Sequence, residues 1–102
     1  MCKTKFVIRA FTLSLFASAN VLALPLNEGI VNSKFNVSRY LELPADWSNE
    51  GLLAKGYCLK IANGVTPHKE IIADINEALN YEYTSEWTQG AVKKMKVWGC
   101  FK

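Results

Sequence analysis

The sequence predicts a mainly α-helical protein: a small three-helix domain stapled by a disulfide, with an irregular N-terminal segment. Three observations lead to this prediction. Apolar residues recur at helical spacing in three stretches between residues 48 and 98, each bounded by capping residues or glycine. Two cysteines, Cys58 and Cys100, remain once a leader is removed. No repeat or linker divides the rest, so we assign a single small helical domain to residues 24–102.

The first 23 residues have the organisation of a secretory signal peptide. A positively charged start precedes an apolar run from residue 6 to 17, and small residues at peptidase spacing follow. The basic residues of the start are Lys3, Lys5 and Arg9. We expect cleavage after Ala23, with Ala19 as the alternative. An uncleaved anchor is disfavoured because the apolar stretch is too short to cross about 30 Å of hydrocarbon. The sequence therefore predicts a signal peptide at residues 1–23 and a periplasmic or secreted protein.

The leader carries the basic excess of the chain. The full sequence has 12 Lys and Arg against 9 Asp and Glu. Three of the basic residues lie in the leader, which leaves nine of each sign in the mature chain. A protein that binds nucleic acid or anionic lipid through charge keeps its excess after processing. We therefore expect no nucleic-acid partner and no stable membrane insertion after processing.

Export also explains the cysteines of the mature chain. In an oxidising compartment, a lone cysteine pair in a domain below about 100 residues most often forms one disulfide. A metal site is disfavoured because Cys58 and Cys100 are far apart in the sequence and His68 is the one histidine. We therefore predict a Cys58–Cys100 disulfide, no metal and no cofactor.

The segment from Leu24 to Pro44 is the least regular part of the mature chain. Its asparagines and glycine suit turns and loops. Apolar and polar residues alternate from residue 35 to 43, which is a weak strand signal bounded by Pro44. A short helix across Val37 to Leu43 fits nearly as well, so both alternatives stay open.

The first predicted helix begins after a serine cap. Ser48 can accept the cap hydrogen bond, and Glu50 then lies in the first turn, where the helix dipole favours an acid. Asn63-Gly64 is a typical stop signal. The apolar residues expected along one side of this helix, as part of the core, are Leu52, Leu53, Gly56, Leu59 and Ala62. Cys58 lies beside this stripe, near enough to the core to bridge to another element.

The second predicted helix opens at Thr66-Pro67, because proline at the first helical position after a threonine cap is a strong start signal. An amphipathic helix of about four turns follows, with acids mostly on the side away from the apolar stripe. That stripe consists of Ile71, Ile72, Ile75, Ala78 and Leu79.

The third predicted helix is capped by Thr84 or Ser85 and ends at Gly99. Lysines crowd its last turns, where cations oppose the negative end of the dipole. Its apolar stripe consists of Trp87, Ala91, Val92, Met95 and Trp98. Cys100 follows the glycine immediately, so the disulfide ties the end of the chain to the first helix.

The sequence contains no combination of residues typical of catalysis. His68 falls in the first turn of a helix, which is a solvated position. The acids at positions 70, 74 and 77 share a helical face, but nothing nearby suggests that one of them is held protonated. No glycine-rich turn follows a strand and opens a helix, so phosphate binding is unsupported. We therefore expect no enzymatic activity.

Aromatic residues and charge segregation indicate a binding surface. Tyr81, Tyr83 and Trp87 cluster at the junction of the second and third helices, with Trp98 and Phe101 near the end of the chain. A small domain cannot bury every large ring, so one or two remain as anchors for a protein partner. The alternative is that all of them complete the core around the disulfide. Five acids lie within residues 70–86 and four lysines within residues 93–102, an arrangement that can steer a charged partner.

An outline of motifs runs through the second half of the chain. Gly64-Val65-Thr66 enters an apolar-periodic helix, an aromatic-rich turn follows, a second helix contains Ala91-Val92, and the end is Trp98-Gly99-Cys100. This outline resembles the C-terminal half of the Rap/Tai-type immunity proteins, which protect bacteria against peptidoglycan amidases delivered by type VI secretion. The resemblance covers about half of the mature chain. The chain departs from that family in its shorter first half and in Gly56-Tyr57, which precedes a cysteine instead of following one.

The resemblance implies a binding function: an immunity protein that occupies the cleft of a cognate amidase in the periplasm and blocks access to cell-wall peptide. By position, the residues expected at the partner interface are Tyr81 and Tyr83 together with Asn63 and Gly64, which open the loop 63–67. Two other classes stay open. One is a different periplasmic inhibitor or phage exclusion protein that acts on a lysozyme, and the other is a small secreted effector or toxin. A homo-oligomer also stays open.

Overall fold

The computed structural model describes residues 25–102, so the predicted signal peptide and both cleavage sites lie outside the described residues. A 3₁₀ helix at Glu28–Ile30 comes first. Four α-helices follow: α1 (Val37–Leu41), α2 (Asn49–Asn63), α3 (His68–Asn80) and α4 (Ser85–Trp98). The predicted mainly α fold is confirmed, and the three long helices are the three that the sequence predicts.

The predicted disulfide is confirmed. Cys58 in the middle of α2 bonds to Cys100, two residues after the end of α4, and their Cα atoms lie 5.6 Å apart. Both residues are fully buried. In the chain-entropy model a loop of this length contributes roughly 4 kcal/mol. Since a domain of this size obtains only a few kcal/mol from its core, the bridge is a large part of its stability.

The apolar face of α3 forms the centre of the core, as its period predicts. Ile71, Ile72, Ile75 and Leu79 are buried. On α4 the buried positions are Thr88, Ala91, Val92 and Met95. The Thr88 hydroxyl donates to the Thr84 carbonyl at 2.7 Å, which satisfies the one buried polar side chain of the described core. The prediction that Trp87 belongs to this stripe is wrong, because its side chain is 48% exposed while its neighbour Thr88 faces inward.

The predicted core face of α2 is wrong. Its buried residues are the small ones and one isoleucine, namely Gly51, Ala54, Cys58 and Ile61. Leu52 and Leu59 are 49% and 39% exposed, and Gly56 is exposed as well. Leu53 and Ala62 are only half-buried. Leu52, Gly56 and Leu59 therefore lie on the side of α2 away from the core, while Leu53 and Ala62 pack against the edge of the core.

Close approach between α2 and its neighbours explains which face is buried. A Cβ atom added at Gly90 of α4 would lie 2.6 Å from Cγ of Glu50, and one added at Gly51 would overlap the carboxyl group of Asp46. The Asp46 carboxylate accepts a hydrogen bond from Nζ of Lys94 on α4 at 2.7 Å. Helices with small residues at their contact approach more closely than leucines would allow. The small-residue face of α2 therefore packs inward.

The helix ends follow local capping rules, with two differences from prediction. Oγ of Ser48 accepts from the backbone N–H of Gly51, and glycines in the left-handed region end α2 and α4 (Gly64, φ 69°; Gly99, φ 92°). The predicted Thr66 cap is wrong, since Pro67 itself is the N-cap and no side chain caps α3. Thr84 occupies the N-cap of α4 but makes no side-chain cap bond.

The segment before α2 is mostly non-repetitive, and its strand alternative is wrong. Residues 37–41 form α1, with Oδ1 of Asn36 accepting from the Arg39 N–H at 3.0 Å as a cap. That cap satisfies one of the backbone N–H groups that the first turn of a helix leaves without a partner. The helix alternative is confirmed, although the helix ends two residues earlier than predicted.

The two ends of the described chain pair with each other. Val31 lies opposite Phe101 in an isolated antiparallel bridge, and both side chains are buried. The Asn32 N–H donates to the Cys100 carbonyl at 3.0 Å, and the Lys102 N–H donates to the Ile30 carbonyl at 2.7 Å. The N-terminal segment therefore covers the disulfide and the C-terminus, although it lacks long regular elements.

Candidate functional site

The turn between α3 and α4 presents two tyrosine rings to solvent. Tyr81 is 56% exposed and Tyr83 is 77% exposed, and their ring centroids lie 5.6 Å apart in a tilted arrangement. The Tyr81 carbonyl accepts from the N–H groups of Thr84 and Ser85, and the Thr84 hydroxyl donates to the carbonyl of Ala78 at 2.7 Å. The turn is therefore held in place by its own hydrogen bonds.

The hypothesis that some aromatic rings remain exposed is confirmed, and the alternative that all of them are buried is wrong. Phe101 is buried and Trp98 is half-buried against the core. The exposed rings Tyr81, Tyr83 and Trp87 lie in the turn between α3 and α4 and at the start of α4. Core formation thus uses the aromatic residues beside the disulfide and leaves those at the turn.

A cavity of about 330 Å³ opens beside Tyr81, between α2, α3 and the turn. Its walls carry two carboxylates, one ammonium group and two phenols, and its residues are Tyr57, Lys60, Asp74, Glu77, Ala78, Tyr81 and Thr84. Glu77 and Asp74 are one turn apart on α3, which places both carboxylates on the side that faces Lys60 of α2. This is the polar half of the candidate site.

A second cavity of about 260 Å³ continues along α2. Its residues are Leu52, Leu53, Gly56, Tyr57 and Lys60. Tyr57 and Lys60 line both cavities, so the two form one surface, which we call the α2–α3 groove. The groove is apolar at the Leu52 end and acidic at the Tyr81 end.

Burial and a nearby charge keep the Tyr57 phenol of the groove protonated. Tyr57 is half-buried at the junction of the two halves, and burial raises the pKa of its phenol above the usual 10.0, with the Asp74 carboxylate raising it further. Tyr57 is therefore a neutral hydrogen-bond donor at physiological pH. Within residues 25–102 the one ion pair joins Asp46 to Lys94, so neither Asp74 nor Glu77 is paired with a cation of the described chain.

The structure separates the two pairs of predicted interface residues. Asn63 and Gly64 precede α3, whereas Tyr81 and Tyr83 follow it, and a helix of 13 residues spans about 20 Å. Oδ1 of Asn63 accepts from the N–H of Val65, and Gly64 supplies the left-handed residue that ends α2. Only Tyr81 of the four lines the groove. Partner binding by Asn63 and Gly64 stays a prediction.

Other candidate chemistry lies apart from the groove. His68 is the first residue of α3, at the far end of that helix from Tyr81. Among the described residues, no group of three or more His, Cys, Asp and Glu side chains is arranged to hold a metal ion. No helix in the described part of the chain is long and apolar enough to span a membrane.

Sequence reasoning missed the groove although the sequence contains a signal for it. Along α2 the small residues Gly51, Ala54 and Cys58 recur at one helical spacing, while Leu52 and Leu59 recur at another. A helix with two apolar stripes can bury only one of them in a small domain, so the other is available for a partner. The contribution of Lys60, by contrast, has no local signal, because it depends on how α2 lies against α3.

Comparison with known proteins yields no match, whether with protein-family models, with curated proteins or with solved structures.

Proposed function

We propose that this chain is an exported protein that binds a peptidoglycan amidase in the periplasm and blocks its active-site cleft. The observation that carries the proposal is the pair of exposed rings, Tyr81 and Tyr83, on a turn held by backbone hydrogen bonds. Large rings on a rigid turn bury much area on binding and lose little conformational freedom, which is why tyrosines are common interface anchors. The buried Cys58–Cys100 disulfide suits an oxidising compartment.

The proposed mechanism is steric. The two tyrosine rings enter the cleft that otherwise receives cell-wall peptide, and substrate is excluded while the complex lasts. Acids in the second half of α3, in the turn and at the start of α4 attract a partner whose cleft carries basic residues; they are Asp74, Glu77, Glu82 and Glu86. Such complementarity mainly raises the association rate and selects the partner. No bond is formed or broken, so the inhibitor is not consumed.

Capture and inhibition test this proposal. The full chain, expressed for export and disulfide-bonded, serves as bait in a periplasmic extract, and bound proteins are identified by mass spectrometry. We expect a cell-wall amidase in the eluate and inhibition of its peptidoglycan hydrolysis. Replacing both Tyr81 and Tyr83 with alanine should raise the inhibition constant at least about 30-fold, because truncating an interface anchor costs about 2 kcal/mol or more.

The matched control is Trp47→Ala, which removes an exposed aromatic ring that lines neither the turn nor the groove. This variant should inhibit like the wild type. A captured lysozyme in place of an amidase would assign the chain to the alternative class of inhibitors. Death of cells that express the chain alone in the periplasm would identify a toxin and overturn the proposal. Unchanged inhibition by the double tyrosine variant would remove the turn from the interface.

A further inference from the structure

The α2–α3 groove has two halves of different chemistry, and both are open. Leu52, which is 49% exposed, lies at its apolar end, and Asp74 and Glu77 lie at its acidic end. The residues from Leu52 to Lys60 span about 12 Å along α2. An extended peptide covers that distance in about four residues. The dimensions of the groove therefore match a short extended segment of polypeptide.

The acidic half favours a cationic side chain. Asp74 and Glu77 are both exposed, neither forms an ion pair within residues 25–102, and they outnumber the one ammonium group of the groove, Lys60. Tyr57 and Tyr81 flank these carboxylates with aromatic rings. A guanidinium group can bond to carboxylates through its planar fork and stack on a phenol ring at the same time. Arginine satisfies the acidic half better than a neutral side chain does.

The apolar half favours an aliphatic side chain. Leu52, Leu53 and the ring of Tyr57 form its walls, and Gly56 leaves its floor without a side chain. A Cβ atom added at Gly56 would meet no other atom within 4 Å, so the space above the helix is open. An aliphatic side chain that covers the exposed leucine surface removes apolar area from water, and this burial favours binding.

We infer that the α2–α3 groove receives an extended segment of the bound protein, with an aliphatic side chain at the Leu52 end and an arginine about four residues away at the Asp74–Glu77 end. The inference rests on the proposed function in that the segment belongs to the inhibited protein. The tyrosine turn then enters the partner's cleft while the groove holds a basic segment at the edge of that cleft. Since Tyr81 belongs to both surfaces, one binding event occupies them together.

Peptide titration tests the groove without any amidase. The probe is a short synthetic peptide with leucine and arginine about four positions apart in a Gly/Ser background, and the matched control peptide has glutamate in place of arginine. The full chain, expressed for export and isotope-labelled, is titrated and followed by amide chemical shifts. We expect saturable shifts at Tyr57, Asp74 and Tyr81 with the arginine peptide and none with the glutamate peptide.

Three variants test the two halves of the groove separately. Gly56→Trp fills the apolar half from a position with free space above it, and should abolish the shifts, whereas Gly56→Ala leaves the half open and should keep them. Asp74→Asn combined with Glu77→Gln should weaken peptide binding about two- to fivefold, the effect of losing an exposed ion pair. Wild-type chemical shifts elsewhere in each variant confirm that the fold is retained.

Several results would overturn the inference. These are equal binding of both peptides, unchanged binding to the Gly56→Trp variant, or no saturable shift at millimolar peptide. Shifts of the same amides on raising the protein concentration alone would assign the groove to a second copy of the chain. Loss of amidase inhibition in a Tyr83→Ala variant, which changes a ring that lines neither cavity of the groove, is a separate result, so the groove and the proposed function can fail independently.

Discussion

Helices α2 and α3 pack against the same core, but they use opposite kinds of residue to do so. In α3 the large aliphatic residues face inward, and Ile71 and Ile75 are fully buried. In α2 the inward face consists of Gly51, Ala54, Cys58 and Ile61, while two of its leucines remain substantially exposed. Large aliphatic side chains of similar hydrophobicity are therefore buried in α3 and partly exposed in the neighbouring α2.

The difference shows that the distance between helix backbones, and not hydrophobicity alone, determines which face of a helix is buried. Helix α2 approaches α4 closely enough that Gly90 faces Glu50, and it is held to α4 by the Asp46–Lys94 ion pair and to the C-terminus by the disulfide. These constraints require small residues on the inner side. Leu52 then lies in the α2–α3 groove, where a partner can cover it.

The largest expected effect contrasts one aliphatic residue of each helix. Ile75→Ala in α3 should lower the free energy of unfolding by about 2–5 kcal/mol, since it leaves a cavity at a fully buried site. Leu52→Ala in α2 should lower it by less than about 1 kcal/mol, because half of that side chain is already in water. Urea unfolding followed by circular dichroism measures both.

Ile75→Val serves as the milder variant if Ile75→Ala does not fold, with an expected cost of about 0.5–1.5 kcal/mol. Equal losses for Leu52→Ala and Ile75→Ala would show that the leucine stripe of α2 is part of the core, and the comparison between the helices would be lost.

The next prediction compares two glycine-to-alanine substitutions in α2, whose effects on stability should have opposite signs. Gly51→Ala should destabilise the protein by about 1–3 kcal/mol, because the new methyl group displaces the Asp46 carboxylate from its bonds to Ser48 and Lys94. Gly56→Ala should instead stabilise it by about 0.5–1 kcal/mol, since it adds helix propensity where space is open. Thermal unfolding of both variants at one pH gives the comparison, and destabilisation by Gly56→Ala would contradict the open groove.

The smallest effect is a pH dependence at the packed end of α2. Hydrogen bonds from Lys94 and then from Ser48 lower the pKa of Asp46 from 3.8 to about 2. A carboxyl group whose pKa is depressed by folding stabilises the folded state above its unfolded pKa. We therefore expect this contribution to be complete above about pH 4 and to disappear as the pH falls towards about 2.

Melting temperatures of the wild type and Asp46→Asn between neutral and strongly acidic pH measure this contribution. The difference in melting temperature between the two proteins should become smaller as the pH falls. Lys94→Met removes the largest cause of the lowered Asp46 pKa. When Lys94→Met is added to both proteins, the difference between their melting temperatures at neutral pH should be smaller. A difference that is independent of pH would show that Asp46 acts only through its shape.

Most of the fold was predictable because its signals are local. The serine cap at Ser48, the glycine stops at Gly64 and Gly99, and the isoleucine period of α3 each act within a few residues of themselves. The Cys58–Cys100 pair was predictable by counting, since residues 24–102, the predicted mature chain, offer one pairing. The sequence did not distinguish helix α1 from a strand, because a stretch as short as residues 37–41 fits both the helical and the strand periodicity.

The candidate site was predictable only in part. Tyr81 and Tyr83 follow from the position of the turn between two predicted helices, and their exposure follows from the limited core of a small domain. The groove does not follow, because Lys60 and Asp74 are brought together by two helices whose relative placement depends on distant contacts.

The sequence by itself determined the fold class of this protein, the approximate positions of its three long helices and the disulfide between Cys58 and Cys100, since periodicity, most stop signals and cysteine count need no knowledge of distant neighbours. Only the tertiary structure decided which face of α2 is buried and that Tyr57, Asp74 and Tyr81 share one groove. The physical reason is that a helix with two apolar stripes has two ways to pack, and the closest approach to another helix selects between them.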